Sequence, residues 1–181
     1  MLEDKLLIWK YKQGNVDALR QIFDKYKGDL LKLAIALTVD VYLAEDVVQD
    51  VFVKLAEARD RISIHGNLKN YLITCLINRI RTLRRDGQRC PARAPAFTDQ
   101  EIAPLQRPDQ WAELNEEMQL VMSALGQLPV EQRETITLRF EAGMGFRQIA
   151  RVQGVSVNTA HGRYRYGMEK LRSLLNGEVI Q

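Results

Sequence analysis

The stretch FRQIARVQGVSVNTAHGRYRYGMEKLRSLL, residues 146–175, decides the fold of this 181-residue chain. It predicts a short helix, a break at Gly154 and a longer second helix. Glycine tolerates the positive φ at which helices often end. Ser156 is placed to cap the second helix by accepting a hydrogen bond from the Asn158 or Thr159 amide. A short helix, a glycine-containing turn and a longer helix together predict a helix-turn-helix.

The outer face of the predicted second helix is basic. It carries Asn158, His161, Arg163, Arg165 and Arg172, with Tyr164 and Tyr166 between them. Residues 143–176 contain six Lys or Arg side chains and a single Glu. Basic side chains on such a helix neutralise phosphates when the helix lies in a major groove. The pattern therefore predicts DNA binding, and the alternative is a basic, solvated face on an ordinary helical hairpin.

Charge is distributed in blocks along the chain, although the formal net charge is only +3. Residues 61–94 contain eight basic side chains and one acidic one, whereas residues 95–127 contain one basic and six acidic ones. A second basic block surrounds the helix-turn-helix. Two basic blocks separated by an acidic one predict two contacts with a polyanion on one chain.

The N-terminal part of the chain has helical periodicity, and no strand is needed anywhere, so we predict an all-α fold. The third predicted helix, residues 43–58, has two contrasting faces. One face is apolar and is expected inward: Ala44, Val47, Val48, Val51, Phe52 and Leu55. The opposite face carries Glu45, Asp46, Gln49, Asp50 and Glu57.

The predicted fourth helix, residues 67–85, has an unusual polar face. Its apolar positions, expected inward, are Leu68, Leu72, Leu76 and Leu83, with Ile80 near them. Its polar positions form one stripe at spacings of three and four: Asn67, Asn70, Thr74, Asn78, Arg81 and Arg85. Amides and guanidiniums bind phosphates and base edges, whereas an ordinary solvated face more often includes Glu and Lys. The stripe therefore predicts a second nucleic-acid contact.

A linker, residues 87–110, is predicted to join two helical domains, residues 1–86 and residues 111–181. Helical periodicity is lost in this region, which holds four of the five prolines. A segment of about 25 residues reaches at most roughly 80 Å, and two turns of DNA span roughly 70 Å. In the C-terminal domain, residues expected to pack inward include Met118, Val121, Met122 and Leu125, and Ile136, Leu138 and Phe140 are available for packing.

The sequence argues against an enzyme and against a membrane protein. The candidate zinc ligands are scattered without paired spacing: His65, Cys75, Cys90 and His161. A Walker-type glycine loop is missing, and no set of partner residues accompanies Tyr164 or Tyr166 as a recombinase nucleophile. No apolar run approaches about 18 residues. We therefore predict a soluble cytoplasmic protein that has no cofactor and no metal.

Three blocks of the sequence resemble those of bacterial sigma factors. AEDVVQDVFVKL, residues 44–55, is similar to their polymerase-binding helix. NYLITCLINRIRTLRR, residues 70–85, is similar to the helix that melts the promoter and reads its −10 element. Residues 128–172 resemble the domain that reads the −35 element. The spacing is that of the smallest group, the extracytoplasmic-function (ECF) sigma factors, and the resemblance implies a factor that directs promoter-specific transcription initiation.

The resemblance also implies partners and residue roles. The partners are bacterial core RNA polymerase, double-stranded promoter DNA and the melted non-template strand, with an anti-sigma factor as a candidate regulator and no insertion into a membrane. Polymerase binding is expected from Glu45, Asp46, Gln49 and Asp50. Contact with the −10 element is expected from His65, Asn67, Asn70, Tyr71, Thr74, Asn78, Arg79, Arg81 and Arg85. Contact with the −35 element is expected from Arg139, Arg147, Ser156, Asn158, Thr159, His161, Gly162, Arg163 and Arg165.

The −35 set divides by the part of DNA that each residue is expected to face. Asn158, His161, Gly162 and Arg165 lie about one turn apart and are expected to face bases. Ser156, Thr159, Arg147, Arg139 and Arg163 are assigned to phosphates. Sigma factors usually have a basic residue where this chain has His161, and a Trp where it has Tyr71. The resemblance therefore does not fix the promoter sequence.

Two expectations and one alternative function complete the prediction. The loop over residues 62–67 is placed to receive a base that leaves the duplex. The linker acids Asp99, Glu101 and Asp109, with Glu113, are expected to follow a basic polymerase channel otherwise used by RNA, and a passive tether is the alternative.

A stand-alone helix-turn-helix transcriptional regulator is the alternative function, but it would not explain the acidic third helix.

Overall fold

The computed structural model describes residues 2–59, 64, 67–89 and 116–177. These ranges contain helices and turns but no strand, which confirms the all-α prediction. Their eight helices are α1 (Leu2–Lys12), α2 (Val16–Thr38), α3 (Val41–Glu57), α4 (Leu68–Arg89), α5 (Glu116–Gly126), α6 (Val130–Phe140), α7 (Phe146–Gln153) and α8 (Val157–Leu175). They fall into two compact units, one within Met1–Ala34 and Tyr42–Pro95 and the other within Ile35–Val41 and Ala96–Gln181.

The first unit buries the apolar faces of α3 and α4. All six α3 residues that the sequence predicts inward are buried: Ala44, Val47, Val48, Val51, Phe52 and Leu55. On α4, Leu68, Leu72, Leu76 and Ile80 are buried as predicted, together with Ile73 and Ile77. Leu83 is only half-buried, so its prediction as a core residue was wrong.

Hydrogen bonds from two tyrosine hydroxyls connect α1 to the rest of the first unit. The Tyr11 hydroxyl donates to the Leu55 carbonyl at 2.6 Å, and the Tyr26 hydroxyl donates to Asp4 Oδ1 at 2.8 Å. Lys25 also donates to Asp4, at 2.9 Å. Burial, together with the hydrogen bond to Asp4, raises the pKa of Tyr26 to about 12. The protonated phenol is therefore part of the folded structure.

The second unit packs α5, α6 and α7 against α8. Its fully buried side chains include Leu138 on α6, Ile149 on α7 and Ala160 on α8. Met122, Leu125 and Ile136 are buried as predicted. Met118 and Val121 are instead 48% and 38% exposed, so their predictions as core residues were wrong. Phe140 is 61% exposed, and its ring stacks on Tyr164. Burial on α5 begins at Met122, and Phe140 is the last residue of α6.

The turn between α7 and α8 has the predicted chemistry. Gly154 adopts φ +66° and ψ 33°, the left-handed conformation that ends α7. The Ser156 hydroxyl accepts a hydrogen bond from the Thr159 amide at 3.0 Å and so caps α8. The helix-turn-helix is confirmed, and its cap fixes where the exposed face of α8 begins.

Candidate nucleic-acid interface

The exposed face of α8 carries several of the residues that the sequence assigns to bases. Asn158, His161 and Arg165 are exposed at spacings of three and four residues, so they lie in one row along the helix. Gly162 lies beside this row, and no packed neighbour lies within 4 Å of where its Cβ would be. The amide of Asn158 and the guanidinium of Arg165 can pair with adenine and guanine in the bidentate way.

His161 is stacked on Phe146, the first residue of α7. Their ring centroids are 3.7 Å apart and their planes differ by 29°. Tyr164 meets the Phe146 ring edge-on at a centroid distance of 5.4 Å, and the Arg139 guanidinium lies 5.5 Å from the Phe146 centroid. The sequence prediction missed Phe146, because this stacking becomes visible only when the turn has set the separation of the two helices.

Gln153, the last residue of α7, joins α8 to α6. Its Oε1 accepts a hydrogen bond from Arg163 Nη1 at 3.0 Å and from the Thr135 hydroxyl at 3.2 Å. Its Nε2 donates to the Glu131 carbonyl at 3.1 Å. One guanidinium nitrogen of Arg163 is therefore held inside the unit. The sequence prediction also missed Gln153, because a single glutamine before a turn has no distinguishing pattern.

The other residues assigned to the −35 element differ in whether their polar groups already form hydrogen bonds within the protein. Arg147 is exposed. Arg139 is exposed but donates to the Met144 carbonyl at 3.2 Å. Arg165 donates to the Tyr166 hydroxyl at 2.9 Å, and its guanidinium lies 4.7 Å from the Tyr166 ring centroid. The Thr159 and Ser156 hydroxyls lie 2.8 Å apart, so this pair serves the cap of α8.

The polar stripe of α4 is continuous in the structure. Asn67, Asn78 and Arg85 are exposed, and Asn70, Thr74 and Arg81 are half-buried. Asn67 Oδ1 accepts from the Lys69 amide at 2.9 Å and so caps α4. The Thr74 hydroxyl donates to the Asn70 carbonyl at 2.8 Å, which commits its proton to its own helix. His65 lies outside the described residues.

A cleft of about 270 Å³ lies between α3 and α4. Three of the predicted −10 residues line it, Tyr71, Asn78 and Arg79, beside the half-buried Cys75. Burial, followed by the neighbouring thiol of Cys75, raises the pKa of Tyr71 to about 12. Burial also raises the pKa of Cys75. The wall of the cleft therefore combines a neutral phenol, an amide and a guanidinium.

The acidic face of α3 is exposed at Glu45, Asp46 and Gln49. The fourth predicted polymerase-binding residue, Asp50, is paired with Arg79 on α4. Arg79 Nε and Nη2 each lie 2.6 Å from Asp50 Oδ2. A residue that the sequence assigns to polymerase therefore contacts one that it assigns to the −10 element.

Two family models match separate parts of the chain. The sigma-70 region 2 model matches residues 22–90, and the model "Sigma-70, region 4" matches residues 118–171. RNA polymerase sigma factor CnrH of Cupriavidus metallidurans is 27% identical, over 97% of this chain and 95% of CnrH. ECF RNA polymerase sigma factor SigL of Mycobacterium tuberculosis is 28% identical, over 87% of this chain and 88% of SigL. This chain belongs to the ECF group of sigma factors.

A solved structure supports the same relationship at the level of the fold. Sigma factor RpoE from Bartonella quintana, in complex with the anti-sigma factor NepR, is 27% identical to this sigma factor. The match has a TM-score of 0.70 and covers 89% of this sigma factor and 98% of the RpoE chain. The region 2 match contains α3 and α4, and the region 4 match contains α7 and all but the last four residues of α8.

In this sigma factor α8 also packs closely on α6 at Gly167, which is buried. A Cβ at Gly167 would lie 2.8 Å from Ile136 Cδ1 and 3.1 Å from Gln132 Cβ. A side chain at position 167 would therefore require Ile136 or Gln132 to shift. The sequence analysis assigned Gly167 no role.

Two further observations concern metal and membrane. Within the ranges that the structure describes, no group of three or more His, Cys, Asp and Glu is placed to hold a metal ion. None of the helices in those ranges is long and apolar enough to span a membrane.

Proposed function

We propose that this sigma factor binds the core of a bacterial RNA polymerase in the cytoplasm and reads two promoter elements with separate domains. Residues 1–86 form the domain for polymerase and the −10 element, residues 87–110 are the linker, and residues 111–181 form the −35 domain. The observation that carries the proposal is the capped helix α8, which presents Asn158, His161 and Arg165 in one exposed row. The protein acts as an initiation factor and has no catalytic chemistry of its own.

The polymerase contact is assigned to α3. Its apolar face is fully used by the core of the first unit, while Glu45, Asp46 and Gln49 are exposed on the opposite face. Such a row fits a basic helical surface. Charges at the rim of an interface mainly change the rate of association, whereas central hydrogen-bonded charges can each contribute about 2 kcal/mol or more. Asp50, at the edge of this surface, is paired with Arg79.

The −10 contact is assigned to the polar stripe and the adjoining cleft. Tyr71, Asn78 and Arg79 line the cleft, and Asn67, Arg81 and Arg85 continue the stripe along α4. A base that leaves the duplex needs stacking and edge contacts to offset its lost pairing, and a phenol beside an amide supplies both. The role of His65 and the channel role of Asp99, Glu101 and Asp109 are proposals for residues outside the described ranges.

We further propose an anti-sigma factor as a regulator of this protein. The support comes from the RpoE structure, in which a similar sigma factor is bound to the anti-sigma factor NepR. A regulator of this kind would compete with polymerase for the sigma factor.

A gel shift with promoter DNA, with and without core polymerase, tests the proposal. A sigma factor should bind the promoter specifically only when the core enzyme is present, whereas a stand-alone helix-turn-helix regulator would bind without it. The double variant Asp46→Ala/Gln49→Ala should weaken assembly with the core. Glu57→Ala, which removes another exposed acid from α3, is the matched control. Unchanged affinity of the double variant would remove α3 from the polymerase contact.

A further inference from the structure

We infer that Phe146 is a positioning residue for promoter specificity, since its ring holds the His161 imidazole in one orientation for the −35 element. The inference rests on the proposed function, which places α8 in the major groove. Phe146 is not itself assigned to DNA. Instead, Phe146 determines which atoms of His161 face the DNA.

The stacking geometry determines what His161 can present. With ring centroids 3.7 Å apart, the Phe146 ring covers one face of the imidazole. The imidazole edge, which carries both ring nitrogens, then remains for contacts with DNA. Because a stacked partner fixes the ring plane, the direction of those nitrogens is set by α7 and not only by the rotamer of His161 on α8.

Two other side chains contact the Phe146 ring and restrict its movement. Tyr164 packs against it edge-on, and the Arg139 guanidinium, which also donates to the Met144 carbonyl, lies 5.5 Å from its centroid. The Phe146 ring is therefore the support that the structure provides for this imidazole.

The expected effect follows from preorganisation. A side chain that is mobile in the free protein must lose that freedom when it binds, which weakens binding by about 2- to 10-fold for one side chain. Removing the Phe146 ring should therefore weaken promoter binding by that factor. It should also relax the base preference at the single position that His161 reads, because a mobile imidazole can satisfy more than one base.

The test is a binding selection over randomised −35 elements with holoenzyme assembled from core polymerase and the full chain. His161→Ala and Phe146→Leu should relax the same position, and the double variant should be no worse than His161→Ala alone. Phe146→Tyr keeps the ring and should restore the wild-type preference. Phe140→Leu is the matched control, because it removes a neighbouring aromatic ring that stacks on Tyr164 and should leave the preference unchanged.

The ring current of Phe146 gives a second readout that does not depend on DNA. In the wild-type full chain, NMR should show the His161 ring protons shifted upfield, and Phe146→Leu should abolish that shift. Absence of the shift in wild type overturns the inference even if Phe146→Leu fails to fold. If His161→Ala relaxes a position and Phe146→Leu does not, only this inference fails. If His161→Ala changes no position, the base-reading role of His161 fails first and the inference fails with it.

Discussion

The Asp50 carboxylate on α3 accepts a hydrogen bond from Arg79 Nε on α4 at 2.6 Å, and Arg79 Nη2 lies 2.6 Å from the same Oδ2 atom. The pair joins two helices that are proposed to meet different partners, polymerase on α3 and melted DNA on α4. The two side chains are 39% and 26% exposed, so solvent weakens their attraction, and about 1 kcal/mol or less is expected from it. A substitution at either residue therefore changes the conformational freedom of the other side chain.

The first prediction is that Asp50 and Arg79 act as one unit. In chemical denaturation, a double-mutant cycle of Asp50→Ala and Arg79→Ala should give a coupling free energy of up to about 1 kcal/mol. In permanganate footprints of promoter complexes, Asp50→Ala should reduce strand opening, because it frees the Arg79 guanidinium. Asp46→Ala combined with Arg79→Ala is the control and should be additive. Additive effects of Asp50→Ala and Arg79→Ala on the free energy of unfolding would show that the ion pair does not contribute to stability.

The second prediction compares two glycines on α8. Gly167→Ala places a Cβ 2.8 Å from Ile136 Cδ1. Overpacking costs about 1–3 kcal/mol, which should outweigh the roughly 1 kcal/mol that alanine gains over glycine in a helix. Gly162→Ala meets no packed neighbour and should raise the free energy of unfolding by up to about 1 kcal/mol. Urea denaturation of both variants measures this, and equal effects would mean that α6 and α8 do not approach as closely as described.

The third prediction concerns stability at alkaline pH. The pKa of Tyr26 is about 12 in the folded protein, against an ordinary value of 10.0, because of burial and the hydrogen bond to Asp4. A raised pKa of an acid means that folding favours its protonated form. The resulting stabilisation is fully present below pH 10 and is lost as the pH rises from about 10 to 12. Tyr71, with a pKa of about 12, adds to the same loss.

Urea denaturation between pH 8 and pH 12 measures this dependence. Tyr26→Phe should flatten the fall in unfolding free energy, whereas Tyr42→Phe, at a residue that is 53% exposed, should leave it unchanged. A fall of the same steepness in Tyr26→Phe would show that the phenol of Tyr26 does not titrate with folding.

Local features of the fold could be predicted because each depends on residues close together in the sequence. The six buried positions of α3 follow from helical periodicity, and the end of α7 and the cap of α8 follow from Gly154 and Ser156. Periodicity gives the face of a helix but not how far its neighbours extend along it. Met118 and Val121 were therefore placed wrongly in the core.

The pairings within the candidate sites could not be predicted in the same way. Asp50 and Arg79 are 29 residues apart, and either could have met solvent or another partner. Phe146 and Gln153 carry no pattern of their own, since their contacts depend on the angle that the turn sets between α7 and α8. The residue types proposed to face DNA could therefore be inferred from the sequence, but the side chains that hold them in place could not.

The most direct measurement of the central claim, that α8 reads the −35 element, is a binding selection over randomised −35 sequences with holoenzyme that carries Arg165→Ala or Arg163→Ala. Arg165 is exposed in the row with Asn158 and His161, so Arg165→Ala should relax the preference at one position, with a discrimination loss of about 1–3 kcal/mol. Arg163 is bound to Gln153 and assigned to phosphate, so Arg163→Ala should lower affinity evenly across sequences. If Arg165→Ala keeps the wild-type preference at every position, its guanidinium does not read bases and this docking of α8 is wrong.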